Sequence, residues 1–229
     1  MGRRKHGGRT MGKAVPLVEE PTDVGEGYDA TPYLPARGGL AALRRAAADC
    51  RGCPLFRDAT QTVFGAGSAS ARTVFVGEQP GDQEDRQGEP FVGPAGRLLR
   101  KAMNEGGLDE RQAYFTNAVK HFKFTVAARG KRRIHKAPSL REMTACRPWL
   151  NAELAQLDPE VIVVLGATAA KTLLGSSFRV TKERGAPIES ERGLVVATVH
   201  PSSVLRSDDR AEAYAGLVSD LRVVAGLLE

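Results

Sequence analysis

Three cysteines, four histidines and a few acids carry most of the chemistry this sequence can offer. Cys50 and Cys53 form a C-x-x-C pair, and Cys146 follows alone. An odd cysteine count without an export signal argues against a disulfide framework, so the pair reads as half a metal site or as a redox motif. His121 and His135 lie in "KHFKFTVAARGKRRIHKAPS", a run rich in lysine and arginine. Nucleic acid would account for the cations but not for the imidazoles. Glu78 stands in "GEQPG", a tight turn in which the acid could be merely solvated. Phe91 follows in the Gly/Pro-rich "PFVGPAG", where an aromatic has no periodic partners. It could plug the core or offer a flat face to a base. His200, before Pro201 and Ser202, could open a helix or donate to a developing anion. His6 reads as a surface residue.

The elements that must position these groups are visible in the hydropathy pattern. The chain has 229 residues and is 41% hydrophobic, enough for one domain with a packed core plus a tail. No apolar run approaches the roughly 18 residues of a membrane helix, and no secretory h-region is present, so a cytoplasmic protein without membrane contact is expected. The net charge of +6 favours an anionic partner. Residues 1–38 mix basic, acidic, Gly and Pro residues without periodicity and read as a disordered or loosely docked tail. The domain is placed at 39–229. Four runs read as strands: "TVFVG" (73–77), "AYFTNAV" (113–119), "VIVVLG" (161–166) and "LVVATVH" (194–200). Amphipathic segments at 40–50, 95–107, 139–157, 168–175 and 211–228 read as helices. This alternation predicts an α/β fold with a mostly parallel sheet, whose ligands sit beyond the carboxyl ends of the strands. Glu78, Asn117, His200 and the loop carrying His135 should therefore meet on one rim.

Together "GE-x-PG", "PFVGPAG", "TN-x-VK" and a late "HPS" resemble, in this order, the uracil-DNA glycosylase superfamily, and most closely its iron–sulfur branch. The resemblance runs from about Leu40 to the C-terminus. It implies a three-layer sandwich around a central four-stranded mostly parallel sheet. It also implies that Phe91 stacks on an extruded uracil, Asn117 reads its polar edge and His200 bonds the uracil O2. Gly77, Gln79 and Asp82 would surround the substrate, and Glu78 would face the sugar. Breaking an N-glycosidic bond passes through an oxocarbenium-like sugar and an anionic base, so an anion on one side and a donor on the other suit the reaction. The implied cofactor is a 4Fe–4S cluster. Cys50, Cys53 and Cys146 match three of its ligands, and His121 stands where the branch has the remaining cysteine.

The run "TNAVKHFKF…GKRRIHK" further resembles the UdgX-type glycosylases, which bond covalently to DNA after excising uracil. That likeness implies that His135 attacks the sugar. Lys131, Arg132, Arg133 and Lys136 flank it, and such cations are expected to keep its ring neutral and nucleophilic near pH 7. These four, with Ser202 and Arg206, are the expected DNA contacts. The partner implied is uracil-containing DNA, single-stranded by preference because an unpaired base is cheapest to extrude, and a monomer is expected. Two other readings remain open: a hydrolytic glycosylase with turnover, in which His135 only orients DNA, and a non-catalytic binder of single-stranded DNA.

Overall fold

The computed structural model describes residues 27–229. The first half runs α1 (Leu40–Ala47), β1 (Ala66–Gly67), β2 (Thr73–Gly77), α2 (Asp82–Gln87), α3 (Pro94–Glu105), β3 (Ala113–Asn117), β4 (Phe124–Val126) and β5 (Arg133–His135). The second runs α4 (Leu140–Leu157), β6 (Val161–Leu165), α5 (Gly166–Leu174), α6 (Val180–Glu183), β7 (Pro187–Ser190), β8 (Gly193–Thr198), α7 (Pro201–Leu205) and α8 (Arg210–Leu227).

Strands rich in Val and Ile that are buried on both faces pair in parallel. β3, β2, β6 and β8 do so in that spatial order. β1 and β7 add antiparallel edges, giving the order β1-β3-β2-β6-β8-β7. The four expected runs are thus the parallel strands, and the expected strand count is corrected from four to six. Alternation along each strand splits the core in two. Phe75, Val161 and Val163 pack on one face with Leu99 and Met103 of α3 and Leu217 and Leu221 of α8. Val74, Val76, Ile162 and Val164 pack on the other with Leu150 and Leu154 of α4 and Leu173 of α5. Helix, sheet and helix make the three layers.

α4 begins at a reciprocal cap. Ser139 Oγ accepts the Glu142 N–H at 3.3 Å, and the Glu142 carboxylate accepts the Ser139 N–H at 2.6 Å. A third cluster lies between α1 and α4 and contains Cys50, Cys53, Cys146 and Trp149. Residues 27–38, read from sequence as part of the tail, dock here: Ala30 is buried and donates its N–H to Ala145 O at 3.0 Å. Residues 1–26, including His6, lie outside the described residues. The basic loop is not irregular, for β4 and β5 pair as a separate antiparallel ribbon, with Phe124 opposite His135. Among the described residues no helix is long and apolar enough to cross a membrane.

Candidate active site

A cleft of about 790 Å³ opens at the carboxyl ends of the parallel strands, where the strand-end rule places it. Glu78, Gln79, Asp82, Phe91, Asn117, His135, His200, Ser202 and Arg206 all line it. Gly77 lies outside the lining, beneath Asn117 and Phe91, which do line it. Lys131, Arg132, Arg133 and Lys136 lie outside the lining.

One side of the cleft is flat and polar-edged. Asn117 ends β3, buried, and its side-chain amide has no protein partner among the described residues. Phe91 is buried with φ of 58°, a left-handed conformation that a bulky residue adopts only when its surroundings enforce it. Arg100 enforces it by donating to the Phe91 carbonyl at 2.6 Å, and the ring leans on Phe115 at 5.9 Å between centroids. Gly77 permits the pairing of these two groups. A Cβ there would lie 2.3 Å from Asn117 Oδ1 and 2.8 Å from Phe91 Cζ.

His200 caps α7. Its Nδ1 accepts the Ser202 N–H at 3.1 Å. A ring nitrogen that accepts carries no proton, so the neutral tautomer holds its proton on Nε2 as a donor. Burial, helped by Arg206 and His135, pushes the His200 pKa down to about 4, so the ring is neutral at ordinary pH. Ser202, expected to touch DNA, is thus also the residue that fixes this tautomer.

Opposite stands an acid–imidazole pair. His135 Nε2 lies 3.4 Å from Glu78 Oε1, and Thr168 Oγ1 donates to Glu78 Oε2. His135 is held below the usual histidine range chiefly by burial; Glu78 pulls the other way, and Arg206 adds to the depression. Arg206, from the far side of the cleft rather than the flanking run, is the cation that adds to this depression. Arg133 is not a free phosphate contact. Its Nε meets Asp82 Oδ1 at 2.5 Å and its Nη1 meets the fully buried Asp85 at 2.6 Å. The guanidinium also stacks on Phe122 and Phe124. Asp82 accordingly holds the ribbon rather than facing the cleft as a free acid. Gln79 does the same. Its Oε1 accepts the Lys123 N–H at 3.1 Å, and its Nε2 donates to Lys123 O and Lys136 O at 3.2 and 2.9 Å. Its amide is thereby spent on Lys123 and Lys136, the residues just outside β4 and β5, not left for a substrate. Lys131, Arg132 and Lys136 are exposed, and their side chains have no protein partner among the described residues.

Three supporting groups went unread in the sequence. Glu84 accepts the N–H groups of Gly81 and Gly93 at 3.1 and 2.8 Å, joining the two glycine turns. Glu153, wholly buried, accepts from Tyr114 and Thr116 and pairs with Lys120, whose Nζ donates to Asn117 O at 2.9 Å. Thr168 sits just beyond β6, the one parallel strand whose carboxyl end was left out of the expected rim. Applying the strand-end rule to all four would have found it.

The third cluster fits a thiolate-held group. Cys50, Cys53 and Cys146 are free and buried together. Burial pushes the Cys53 thiol up to about 11 and the Cys146 thiol up to about 12, a cost that a bound metal's charge reverses. Cys50 Sγ accepts the Trp149 indole N–H at 3.2 Å, and Cys146 Sγ accepts the Lys120 N–H at 3.3 Å. His121 is buried. The Thr62 hydroxyl gives its single proton to Ala47 O at 2.9 Å, so its 2.9 Å contact with His121 Nε2 must be received from the ring. The proton therefore sits on Nε2, and Nδ1 keeps the lone pair a ligand needs. Among the described residues no three His, Cys, Asp or Glu groups converge tightly enough to grip a single ion. A multi-iron cluster does not require that, because each ligand bonds its own iron.

The chain matches the uracil DNA glycosylase superfamily over residues 64–222. It is 39% identical over 160 residues to the Type-4 uracil-DNA glycosylase of Thermotoga maritima, covering 69% of this chain and 79% of the relative. The Type-4 enzyme of Archaeoglobus fulgidus is 35% identical over 173 residues, 72% of this chain and 82% of the relative. That of Sulfurisphaera tokodaii is 33% identical over 175 residues, 72% and 76% respectively.

Proposed function

The chain belongs to the uracil DNA glycosylase superfamily, and we propose on that basis that it excises uracil from DNA and then remains bonded through His135 to C1′ of the sugar. The observation that carries the covalent step is the His135–Glu78 contact of 3.4 Å inside the cleft that also holds His200. Excision draws on the base side of the cleft as well as on Glu78. Phe91 offers its ring to an extruded uracil, Asn117 supplies both a donor and an acceptor to the base edge, and the His200 Nε2–H meets the O2 on which negative charge collects. Such a donor, fixed beforehand in a partly dry site, is worth about 10²–10³ in rate.

As the N-glycosidic bond breaks, its electron pair leaves with uracil and the sugar becomes oxocarbenium-like, facing Glu78. A lone pair of the neutral His135 ring then forms the new bond to C1′. The resulting imidazolium could be expelled again. Transfer of its remaining ring proton to Glu78, and onward to the departing uracil or solvent, leaves a neutral N-glycosyl imidazole, a poor leaving group. Product then persists instead of turning over.

Lys131, Arg132, Lys136 and Arg206 are the cations available to phosphates, and single-stranded DNA is the proposed preferred substrate because extrusion costs least there. Cys50, Cys53, Cys146 and His121 would hold a 4Fe–4S cluster. Its contribution would be structural, tying α1, α4 and the root of the ribbon together.

The test mixes the protein with uracil-bearing single-stranded DNA and resolves it on a denaturing gel. An SDS- and heat-resistant shifted band is expected, and it should vanish in His135→Ser. Alkali-labile sites without a shift would mean hydrolytic turnover, and intact DNA would mean binding alone. A resistant band that survives His135→Ser would remove the nucleophile assignment.

A further inference from the structure

We infer that Thr168 is the positioning residue that aims Glu78 at the sugar side of the cleft. The inference rests on the reading of Glu78 given above and concerns a residue to which that reading gives no role. The Glu78 backbone is already fixed, because its carbonyl accepts the Val119 N–H at 3.0 Å and the Gly77 carbonyl accepts the Ala118 N–H at 2.9 Å. The side chain is not fixed by the backbone. It projects past the end of β2, and two groups meet its carboxylate among the described residues: the Thr168 hydroxyl on Oε2 and the His135 ring on Oε1. A carboxylate only accepts, so the hydroxyl proton must point at Oε2. With one oxygen tied, the other is turned toward His135 and the open cleft.

Thr168 is itself well held. It is the third residue of α5, where a β-branched side chain has little rotamer freedom, and its carbonyl accepts the Thr172 hydroxyl at 2.9 Å. The same helical turn reaches the other half of the site. Gly166 has φ of +86°, and a Cβ there would stand 2.9 Å from His200 Cβ. One short turn therefore sets the placement of the base-side donor, through Gly166, and of the sugar-side carboxylate, through Thr168. Two groups that must act across a single breaking bond are spaced by one rigid element.

The experiment compares Thr168→Val, which keeps the shape and loses the hydroxyl, with Thr168→Ser, which keeps the hydroxyl. Single-turnover uracil release is measured with protein in excess over single-stranded uracil DNA, alongside affinity for DNA carrying a non-cleavable uracil nucleotide. Thr168→Val should slow release about 10- to 100-fold, as a displaced catalytic group does, with affinity unchanged. Thr168→Ser should restore most of the rate. In a Glu78→Gln background the valine substitution should cost little more, because the group it positions is already disabled. Wild-type rates in Thr168→Val would overturn the inference. So would a serine variant as slow as valine, or a full valine effect on top of Glu78→Gln; both would place the effect in packing. Should the valine variant not fold, the serine variant and Thr168→Ala in both backgrounds decide the matter. Because the readout is uracil release, a wild-type protein without a resistant band sinks covalent capture and leaves this test standing. A wild-type protein that releases no uracil sinks the glycosylase reading itself.

Discussion

Adding one methyl group at Gly77 should disable the site without unfolding the protein. In Gly77→Ala the new carbon would stand 2.3 Å from Asn117 Oδ1 and 2.8 Å from Phe91 Cζ. Non-bonded atoms settle at roughly 3.5 Å, so the Asn117 amide must retreat by about 1 Å and the Phe91 ring by somewhat less. Neither has an easy retreat. Asn117 is tethered through its carbonyl to the buried Lys120, and Phe91 is pinned in its left-handed conformation by Arg100. A displacement of that size at a group that reads the base costs about 10²-fold in rate. Stability should fall only modestly: overpacking costs about 1–3 kcal/mol, partly offset by the roughly 0.5–1 kcal/mol by which alanine is better tolerated than glycine in a strand. The assay is single-turnover uracil release beside a thermal melt. Release slowed about 100-fold in a protein that still melts cooperatively, a few degrees below wild type, is the expected result. A rate within a few-fold of wild type would mean that Asn117 and Phe91 do not grip the base together, and the base-side assignment would fall.

The pH dependence of covalent capture should follow His135. Only the neutral ring has a lone pair to spend, and burial holds its pKa below the ordinary value of 6.5, so capture should stay level down to that pH and fade only below it. A midpoint at or above 6.5 would contradict this, and His200, at about 4, should add no inflection in that range. The ribbon's cations should divide into two kinds. The double variant Lys131→Ala/Arg132→Ala should weaken DNA binding and lower the salt slope by about 1.4, two single-strand phosphate contacts, while leaving the rate at saturating DNA alone. Arg133→Ala should instead lower the saturating rate, because leaving the buried Asp85 unpaired costs about 3–5 kcal/mol and frees the ribbon; a salt-slope effect alone would reverse that distinction. His121→Ala should purify with less iron and sulfide than wild type, and His121→Cys should retain both; full iron content in the alanine variant would rule the ring out as a ligand.

Much of the frame was legible because it rests on local pattern. "TVFVG" and "VIVVLG" are almost wholly apolar, as suits strands covered on both faces, and they form the middle of the sheet. The edge strands escaped because they carry no such signal: β1 has two residues, and β7 reads "PIES". α2, "DQEDRQ", has no apolar stripe, and it is held by the glycine turns and by Arg133. The convergence of Glu78, Asn117, His135 and His200 followed from topology. The part played by Arg133 did not, since its aspartates lie 51 and 48 residues away and nothing local distinguishes it from Lys131 or Arg132. Gln79 likewise stood in a motif that implied substrate contact, and only the fold reveals that its amide is consumed by the ribbon.

The ribbon's attachments bear on why His135 should capture and not merely orient DNA. An isolated two-stranded hairpin is marginal in water, so where this one sits depends on what clips it down. The Gln79 amide fastens the backbone beside Lys123 and Lys136, the Arg133 clamp fastens β5 to α2, and Phe122 lies beneath Phe124 and next to the His135 ring. All three act close to His135 across the ribbon, whereas the exposed cations at the turn have no such attachment. Phosphate binding gains little from such bracing, because long side chains find phosphates by themselves. A nucleophile gains a great deal, since attack requires the nitrogen to be in place when the sugar becomes electrophilic. The position it occupies is also the one hydrolysis would need. With Oε2 of Glu78 taken by Thr168, the ring at Oε1 stands where a water would have to be activated. On the proposed reading, holding His135 there would favour bond formation over hydrolysis twice, by supplying one nucleophile and by displacing the other.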